Sequence, residues 1–515
     1  MNITPQTIIY LCAGVPFDNT YEHVRLLETT SDKINYFSQF VISHMSGCMY
    51  QRQTGVINYM ADYDSIANAN YLYFRNIDDG KYYFAFIRSI EFVNQNKSSI
   101  TFEIDAFQTW FDKSALRECH VEREHVNDDT FGKHLVPEGL DTGEYVSNGI
   151  SDITTLTPVI VMGVSEVLDN VQGQRMLDNT YTGLTYYYAD KILSSRITEK
   201  INQYAESGKG DAIVSLFMYP KELLGISPNV TGSGWIVDDQ TTSITDFRID
   251  NPFAPLNGYT PKNNKLYTYP YRVLTVYGSG SQAVEYRYEY FSSFNNMFTV
   301  FSTLGGSAPI VCVPNNYKGF NFALDEPAQM YPFPTCSWIN DNYKNWFAQN
   351  QMGLNYQFYS SAAQGAVGIV TNALSFNYGG AVNSLMSVVD KGAQIMISNE
   401  QHKIIPDSAR GTTASANAYF ANGQHYLYAV AKCIRYDYAK RIDDFFSHYG
   451  YKVSDFKVPN VTGRKNWNFV KLVDCNINLT APVEIVEKIK SIFLNGVTFW
   501  HTDDVKNYSL DNSIV

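Results

Sequence analysis

Tyr82-Tyr83-Phe84-Ala85-Phe86-Ile87 and the nearby Ser98-Ser99-Ile100-Thr101-Phe102-Glu103-Ile104-Asp105-Ala106 decide the fold class. The first run is aromatic and β-branched, which suits a pleated, buried surface. In the second, Ile100, Phe102 and Ile104 alternate with Thr101, Glu103 and Asp105, the period-2 signature of a strand with one buried face. Asn94-Gln95-Asn96-Lys97 between them is a polar turn. The pattern predicts a β-hairpin running from Lys81 to Val93 and back from Ser98 to Ala106.

The composition around the hairpin agrees with it. Aromatic residues make up 15% of the chain, with 39 Tyr and 31 Phe, which favours strands over helices. A length of 515 residues exceeds what one core serves, so roughly two to four domains are expected. The formal net charge is −12 and the isoelectric point near 5.3. That balance argues against wrapping nucleic acid, which needs clustered Lys and Arg, but suits a wall that DNA slides past without sticking. Seven scattered Cys, none in C-x-x-C spacing, point to reduced, mostly buried thiols in a protein made in a cytoplasm. Neither a secretory leader nor an apolar run of about 18 residues is evident in the sequence.

Taken in order, the chain reads as five segments. Residues 1–130 form an N-terminal β domain, opened by the apolar run Thr7 to Cys12; Asp32 to Ser46 reads as a short helix or a strand. Residues 131–260 form a looser, mixed α/β domain, with strands at Leu156 to Val164 and Ile213 to Tyr219 and a helix within Tyr186 to Ser207 carrying Ile192, Ile197 and Ile201. Residues 261–344 return to β, with a strand from Leu266 to Tyr277 interrupted by Pro270 and a return at Ala283 to Phe291. Residues 345–425 are hydrophobic, then Ser, Thr, Ala and Gly rich. Residues 426–515 are α+β: a strand at Tyr426 to Arg435, helices at Asp437 to Tyr449 and Pro482 to Leu494, and a closing strand at Val497 to Trp500. Gly450 and Asn495-Gly496 stop the two helices.

The fourth segment departs from the rest of the chain. From Asn345 to Val389, 45 residues contain no Asp, Glu, Lys, Arg or His, in a chain that is 17% charged overall. The run is rich in small residues, as in Ala362-Ala363-Gln364-Gly365-Ala366-Val367-Gly368-Ile369-Val370. Such a segment belongs in its own core, in a partner subunit or in lipid. A buried helical hairpin and a lumen-filling or membrane-active element both fit its composition. Its apolar pieces, broken by Gln364, Thr371 and Asn372, are shorter than a bilayer span, so a pore would need several copies, with small residues allowing close approach.

Catalytic patterns are weak. His120 and His125 lie five apart in a candidate strand from Cys119 to Val126, which places them on opposite faces. Glu122 and Glu124 share a face in a regular strand, a pair suited to binding a cation or to acid–base work such as a wall hydrolase would need; a solvated or lumen-facing charge row explains them as well. No H-E-x-x-H, G-x-S-x-G or P-loop is present. Arg464-Lys465 beside Trp467 is a single basic–aromatic patch. The sequence therefore predicts no catalytic residue, no metal site and no cofactor.

Further motifs carry a family likeness. They include Val15-Pro16-Phe17-Asp18-Asn19-Thr20-Tyr21, Phe102-Glu103-Ile104-Asp105-Ala106-Phe107-Gln108-Thr109-Trp110, Val121-Glu122-Arg123-Glu124-His125-Val126 and Glu138-Gly139-Leu140. At the far end come Arg464-Lys465-Asn466-Trp467-Asn468-Phe469-Val470, Ile492-Phe493-Leu494-Asn495-Gly496-Val497-Thr498-Phe499-Trp500-His501 and Asn507-Tyr508-Ser509-Leu510-Asp511-Asn512. With these residues the chain resembles the tail knob, or distal tail tube, proteins of small short-tailed bacteriophages of the picovirus type. The resemblance implies a mainly β, multidomain fold with some α+β structure. Its β-barrel tail-tube domains would form a hexameric ring, with a long hydrophobic loop. It implies a non-enzymatic virion protein of the tail tip, a homo-hexamer joined to other tail proteins on the collar side, with viral double-stranded DNA passing through its lumen. The loop would plug the tube and then enter the host cell membrane during ejection; in a purely structural tube or adaptor it would only seal the tip. The residues that fall to the loop are Leu354, Phe358, Ala362, Ala363, Gly365, Ala366, Val367, Gly368, Ile369, Val370, Leu374, Phe376, Leu385, Met386, Val388, Val389, Ile395, Met396 and Ile397.

Overall fold

The computed structural model describes residues 7–47, 55–77, 80–153, 156, 158–168, 176–177, 180–181, 185–188, 196–226, 237–241, 252–305, 308–321, 324–333, 335–336 and 426–515. The chain is mainly β and divides into two compact units. The first joins Met1–Thr142, Pro261–Leu266 and Tyr436–Val515; the second joins Gly143–Thr260 and Tyr267–Arg435. The chain thus leaves the first unit and returns to it twice.

In the first unit the chain runs through β1 (Ile8–Ala13), β2 (His23–Arg25), α1 (Thr30–Ser38), β3 (Val41–Met45), β4 (Val56–Tyr59), α2 (Tyr63–Ile66), β5 (Ala69–Arg75), β6 (Tyr82–Asn94), β7 (Lys97–Ile104), α3 (Ala106–Trp110), β8 (Ala115–Leu116) and β9 (Cys119–Glu124). The predicted hairpin is present: β6 and β7 pair from Ala85↔Ile104 to Asn94↔Lys97 around a tight turn. It sits inside a six-stranded sheet of order β3-β1-β5-β6-β7-β4. The aromatic run is buried because both faces of β6 are covered. Phe84 and Phe86 meet Phe37 of α1 and Tyr71 of β5, at ring separations of 5.2 Å each. Tyr83, on the other face, stacks on Phe74 and meets Trp110 of α3. In β7 the alternation holds at Ser98 and Ile100, while Phe102 and Ile104 are only half-buried. Between Asp32 and Ser46 both readings are realised in succession, helix α1 and then strand β3. Thr29 caps α1 reciprocally with Asp32: Asp32 N–H donates to Thr29 Oγ1 (3.1 Å), and Thr29 N–H donates to Asp32 Oδ2 (3.1 Å).

The second unit contains β10 (Tyr145–Asp152), β11 (Pro158–Val164), β12 (Met176–Leu177), β13 (Thr180–Tyr181), β14 (Thr185–Tyr188), α4 (Arg196–Glu206), β15 (Ile213–Pro220), β16 (Leu224–Ile226) and β17 (Val237–Thr241). It continues with β18 (Arg272–Gly278), β19 (Val284–Tyr286), β20 (Phe298–Phe301), β21 (Ile310–Pro314), β22 (Ala328–Met330), β23 (Thr335–Cys336) and β24 (Leu427–Ile434). Its sheets include β10-β24-β18-β19, β14-β11-β15-β23 and β20-β21-β22. One sequence expectation is met here and one corrected. The helix expected within Tyr186 to Ser207 is present as Arg196–Glu206, while Tyr186, Tyr187 and Tyr188 at the start of that stretch pair with β11 as a buried strand. The strand expected from Leu266 begins only at Arg272: Pro270 has no N–H to give a ladder.

The chain returns to the first unit as α5 (Tyr436–Tyr449), β25 (Tyr451–Lys457), β26 (Trp467–Leu472), β27 (Ile477–Asn478), α6 (Val483–Asn495) and β28 (Val497–Trp500). These strands build a five-stranded sheet, β2-β28-β26-β9-β25, in which β2 and β28 are parallel. β9 lies between β26 and β25, so the N-terminal part of the chain completes a sheet made mostly by the C-terminal part. Trp467 and Trp500 oppose each other across this sheet, fully buried, with ring centroids 5.4 Å apart. Ile489, Ile492 and Phe493 of α6 cover it together with Phe107 and Phe111.

Gly450 makes the turn from α5 into β25. Its φ is +65°, and a Cβ there would lie 2.1 Å from Glu124 O. Only glycine satisfies both conditions. Gly450→Ala is expected to lower stability by about 3 kcal/mol or more, read from the urea midpoint of the purified chain; a loss below about 1 kcal/mol contradicts this packing.

Candidate functional site

Every residue assigned to the hydrophobic loop, from Leu354 to Ile397, lies outside the described residues, as does the Ser, Thr, Ala and Gly rich stretch that follows it. The segment 337–425 is bounded by described strands of the second unit. β23 precedes it and pairs with β15 (Leu216↔Cys336, Phe217↔Thr335); β24 follows it and runs between β10 and β18. β24 is a firm anchor. Leu427, Ala429, Ala431, Cys433 and Ile434 are nearly or wholly buried, and the strand is bonded along both edges. The two strands that flank the segment belong to different sheets.

The chemistry-bearing residues of the sequence take structural roles. Glu122 and Glu124 do not share a face. Two partner registers slip here: Val470↔Glu124 and Lys471↔Arg123 are followed by Leu472↔Val121, and Lys452↔Arg123 by Asp455↔Val121. Glu122 is the extra residue of a β-bulge, which turns Glu124 into the core. Glu122 pairs at the surface with Lys471 (2.9 Å). Glu124, fully buried, pairs with Lys457 and accepts from Asn460 N–H (2.8 Å); burial still raises its carboxyl above the ordinary range. The two carboxylates are therefore not arranged as an acid–base pair.

His120 and His125 also part company. His120 is half-buried on β9, with its N–H donated to Asp474 Oδ1 (2.6 Å). His125 is buried just past the strand end. Its Nδ1 accepts from Phe469 N–H (2.7 Å) and its Nε2 lies 3.1 Å from Ser447 O, which also accepts from Trp467 Nε1–H (2.9 Å). Nδ1 must then be unprotonated, so Nε2 carries the proton. Burial, with Arg464, His448 and Arg123 adding to it, pushes the imidazole down to about 3. Arg464 is not a surface cation either: its Nε donates to Val126 O (3.0 Å). Arg464 and Trp467 are thus part of the packing, and only Lys465 of the basic–aromatic patch is exposed. Among the described residues, no group of three or more His, Cys, Asp or Glu side chains is placed to hold a metal ion, and no helix is long and apolar enough to cross a membrane.

A dense polar site in the first unit escaped the sequence reading. The short excursion Pro261–Leu266 is stitched down by three carboxylates. Asp443, buried on α5, accepts from Lys262 N–H (2.7 Å), Asn263 N–H (3.1 Å) and Asn263 Nδ2–H (2.7 Å). Asp129 accepts from Asn264 N–H (2.9 Å) and from the Tyr451 hydroxyl (2.6 Å). Glu138, its side chain 1% exposed, faces the ammonium of Lys265 and the guanidinium of Arg123, and accepts Lys452 N–H (2.9 Å). Arg123 lies over the Phe445 ring (4.7 Å) and Lys265 over Tyr451 (5.2 Å). Pro137-Glu138-Gly139 reads locally as a turn, and its partners come from sequence positions far apart. The one available signal was an acidic pair, Asp128-Asp129, ahead of a Pro-Gly turn. The geometry is that of a clasp: it fixes backbone and offers no open position for a substrate.

Among the described residues the sequence's catalytic candidates are spent on packing and ion pairs, and comparison with known proteins supplies the class. Residues 5–115 match the caudoviral major tail protein N-terminus, a family of phage tail proteins. Residues 237–513, more than half the chain, match the family described as the C-terminal domain of the tail knob protein gp9 of Bacillus phage phi29, and the chain belongs to that tail knob family. Over 99% of its length it is 24% identical to the tail knob protein gp9 of Bacillus phage PZA, and equally to that of phi29, covering 98% of each. Identity to the tail knob protein gp9 of Bacillus phage B103 is 23%, with the same coverage. The solved structure of the tail knob protein gp12 of bacteriophage C1 superposes with a TM-score of 0.68 at 13% identity, covering 99% of this chain and all of that one, which confirms the fold. All of these relatives are named as tail knob proteins.

Two outcomes follow. Glu138→Ala leaves Arg123 and Lys265 buried without their counter-charge and is expected to cost about 3–5 kcal/mol, measured by urea unfolding; a cost near zero would mean the clasp does not hold the excursion. His125 binds a proton far more weakly folded than unfolded, where its pKa is about 6.5. Its contribution is therefore complete above pH ~6.5 and is lost as pH falls toward 3, at up to ~1.4 kcal/mol per pH unit. His125→Asn should be less stable at neutral pH but lose less stability between pH 6 and 4. Parallel curves for the two proteins would show that His125 is not the titrating group.

Proposed function

We propose that six copies of this chain form a ring at the tail tip that conducts the viral genome, and that the charge-free segment first closes the conduit and then enters the host cell membrane. The observation that carries this reading is the 45-residue run without Asp, Glu, Lys, Arg or His at 345–389, in a chain whose family sits in phage tails. A charge in the hydrocarbon core is costly, and a segment that must leave a tube for lipid can carry none. The five-stranded and six-stranded sheets suit a stiff wall. The formal charge of −12, repeated around a ring, suits a lumen from which DNA phosphate is repelled and to which it does not adhere. The apolar pieces are too short to span a bilayer singly, so the reading requires several subunits to act together. The ring would meet the remaining tail proteins on its collar side.

Dye release from liposomes tests the membrane step. The full chain should empty the vesicles, and a chain lacking 354–397 should not while retaining its circular dichroism spectrum. Equal behaviour of the two proteins would leave only the sealing role. Electron micrographs of the same preparations should show six-fold rings for both.

A further inference from the structure

Cys119 opens β9 and is fully buried, while Cys475, between β26 and β27, is half-buried against the same core. Both are free thiols, and the ladder around them fixes their spacing. Leu472 pairs with Val121 at one end and Ile477 with Leu116 at the other. Between those pairs, Val473 N–H donates to His120 O (2.9 Å) and Arg117 N–H to Asn476 O (3.0 Å). That register sets Asp474 opposite Cys119 and Cys475 one position beyond it. Asp474 spends its carboxylate on His120 N–H (2.6 Å), and the neighbouring Cys475 packs toward the core. Opposed Cα atoms of an antiparallel pair lie about 4.5–5.5 Å apart, and a disulfide joins Cα atoms roughly 4.4–6.8 Å apart. An offset of one residue stays within that reach, and the alternation of faces breaks on both strands here: Val473 and Asp474 are both exposed, as are Arg117 and Glu118, so that Cys475 and Cys119 both turn to the core.

We propose that Cys119 and Cys475 are a redox modification site that closes to a disulfide when the chain meets an oxidising small-molecule disulfide. Such surroundings are those of a virion outside its host, whereas a cytoplasm keeps both thiols reduced. The half-exposed Cys475 reacts first. Its thiolate attacks one sulfur of the oxidant, here oxidised glutathione; a Cys475–glutathione bond forms and one glutathione thiolate leaves. The Cys119 thiolate then attacks Cys475 Sγ, the protein disulfide forms, and the second glutathione thiolate leaves. Two protein thiols are oxidised, one glutathione disulfide is reduced, and the two protons pass to the two glutathione products. Burial pushes the Cys475 thiol up to about 12, with Cys119 beside it adding to the effect, and raises Cys119 as well. Thiolate is therefore scarce near neutrality, and closure is slow there and faster as pH rises. The bond would tie β9 to the end of β26 and so lock the N-terminal strand into the C-terminal sheet.

The test uses the full chain with oxidised glutathione at about pH 8.5, a condition that raises the thiolate fraction, then unfolding and alkylation. Peptide mass spectrometry should find residues 119 and 475 in one linked species two hydrogen masses light, with the other five of the seven cysteines alkylated. The thermal midpoint should rise by several degrees, and a reducing agent should reverse both changes. Cys475→Ser and Cys119→Ala should each fold and show neither link nor shift. The proposal is overturned by recovery of both cysteines alkylated, by a lasting glutathione adduct on Cys475 with Cys119 still reduced, or by linkage of either to a different cysteine. If Cys119→Ala fails to fold, Cys475→Ser and the linked peptide of the parent protein decide the matter alone.

Discussion

The insertion of β9 between β25 and β26 is the constraint on which the first unit depends. β9 comes from the early part of the chain and its two neighbours from the late part; Arg123 and Gly450, which touch through a hydrogen bond, are 327 positions apart. Closing so long a loop is entropically costly, though the cost grows only slowly with length. It is offset where β9 lands: Cys119 and Val121 enter the core, Glu124 finds Lys457 and Asn460, and Arg123 finds Glu138, Gly450 O and the Phe445 ring. The bulge at Glu122 lets one short strand do both kinds of work, apolar residues inward at its start and a buried carboxylate at its end. A regular strand would have left Glu124 on the surface with Glu122.

The Glu138 clasp extends the same logic to the excursion 261–266. Each of its four polar residues from Lys262 to Lys265 bonds a carboxylate fixed elsewhere in the first unit. A six-residue return that leaves again at once has little apolar area to hold it. Ion pairs and charge-assisted hydrogen bonds do so instead, with enough donors that the buried acids are satisfied. Such a design is stiff and specific but intolerant of losing either partner.

Sequence reading recovered what is local. The β6–β7 hairpin, the strand at Cys119, the two late helices and the final strand rest on periodicity, turn residues and caps within a few positions of each other, and all are in the fold. It faltered where tertiary partners decide. Leu266 to Tyr271 has β composition but Pro270 delays the ladder; Glu122 and Glu124 are separated by a bulge that only the neighbouring strands impose. The clasp was invisible for the same reason, since Asp129, Glu138, Lys265 and Asp443 become a cluster only after folding. The charge-free segment was the reverse case: composition alone set it apart, and the family places the chain in a phage tail.

The order of the two units along the chain has a consequence for biosynthesis. A chain leaves the ribosome from its N-terminus, so β1 to β9 emerge early and must wait, with β9 unpartnered, until β25 and β26 are made. The second unit, with the charge-free segment inside it, is wholly synthesised before that happens. The first unit is therefore finished last, by the final 80 residues, Tyr436–Val515. A product that stops short of β25 and β26 leaves β9 without its neighbours, so the topology itself withholds a finished first unit until that late stretch has been made.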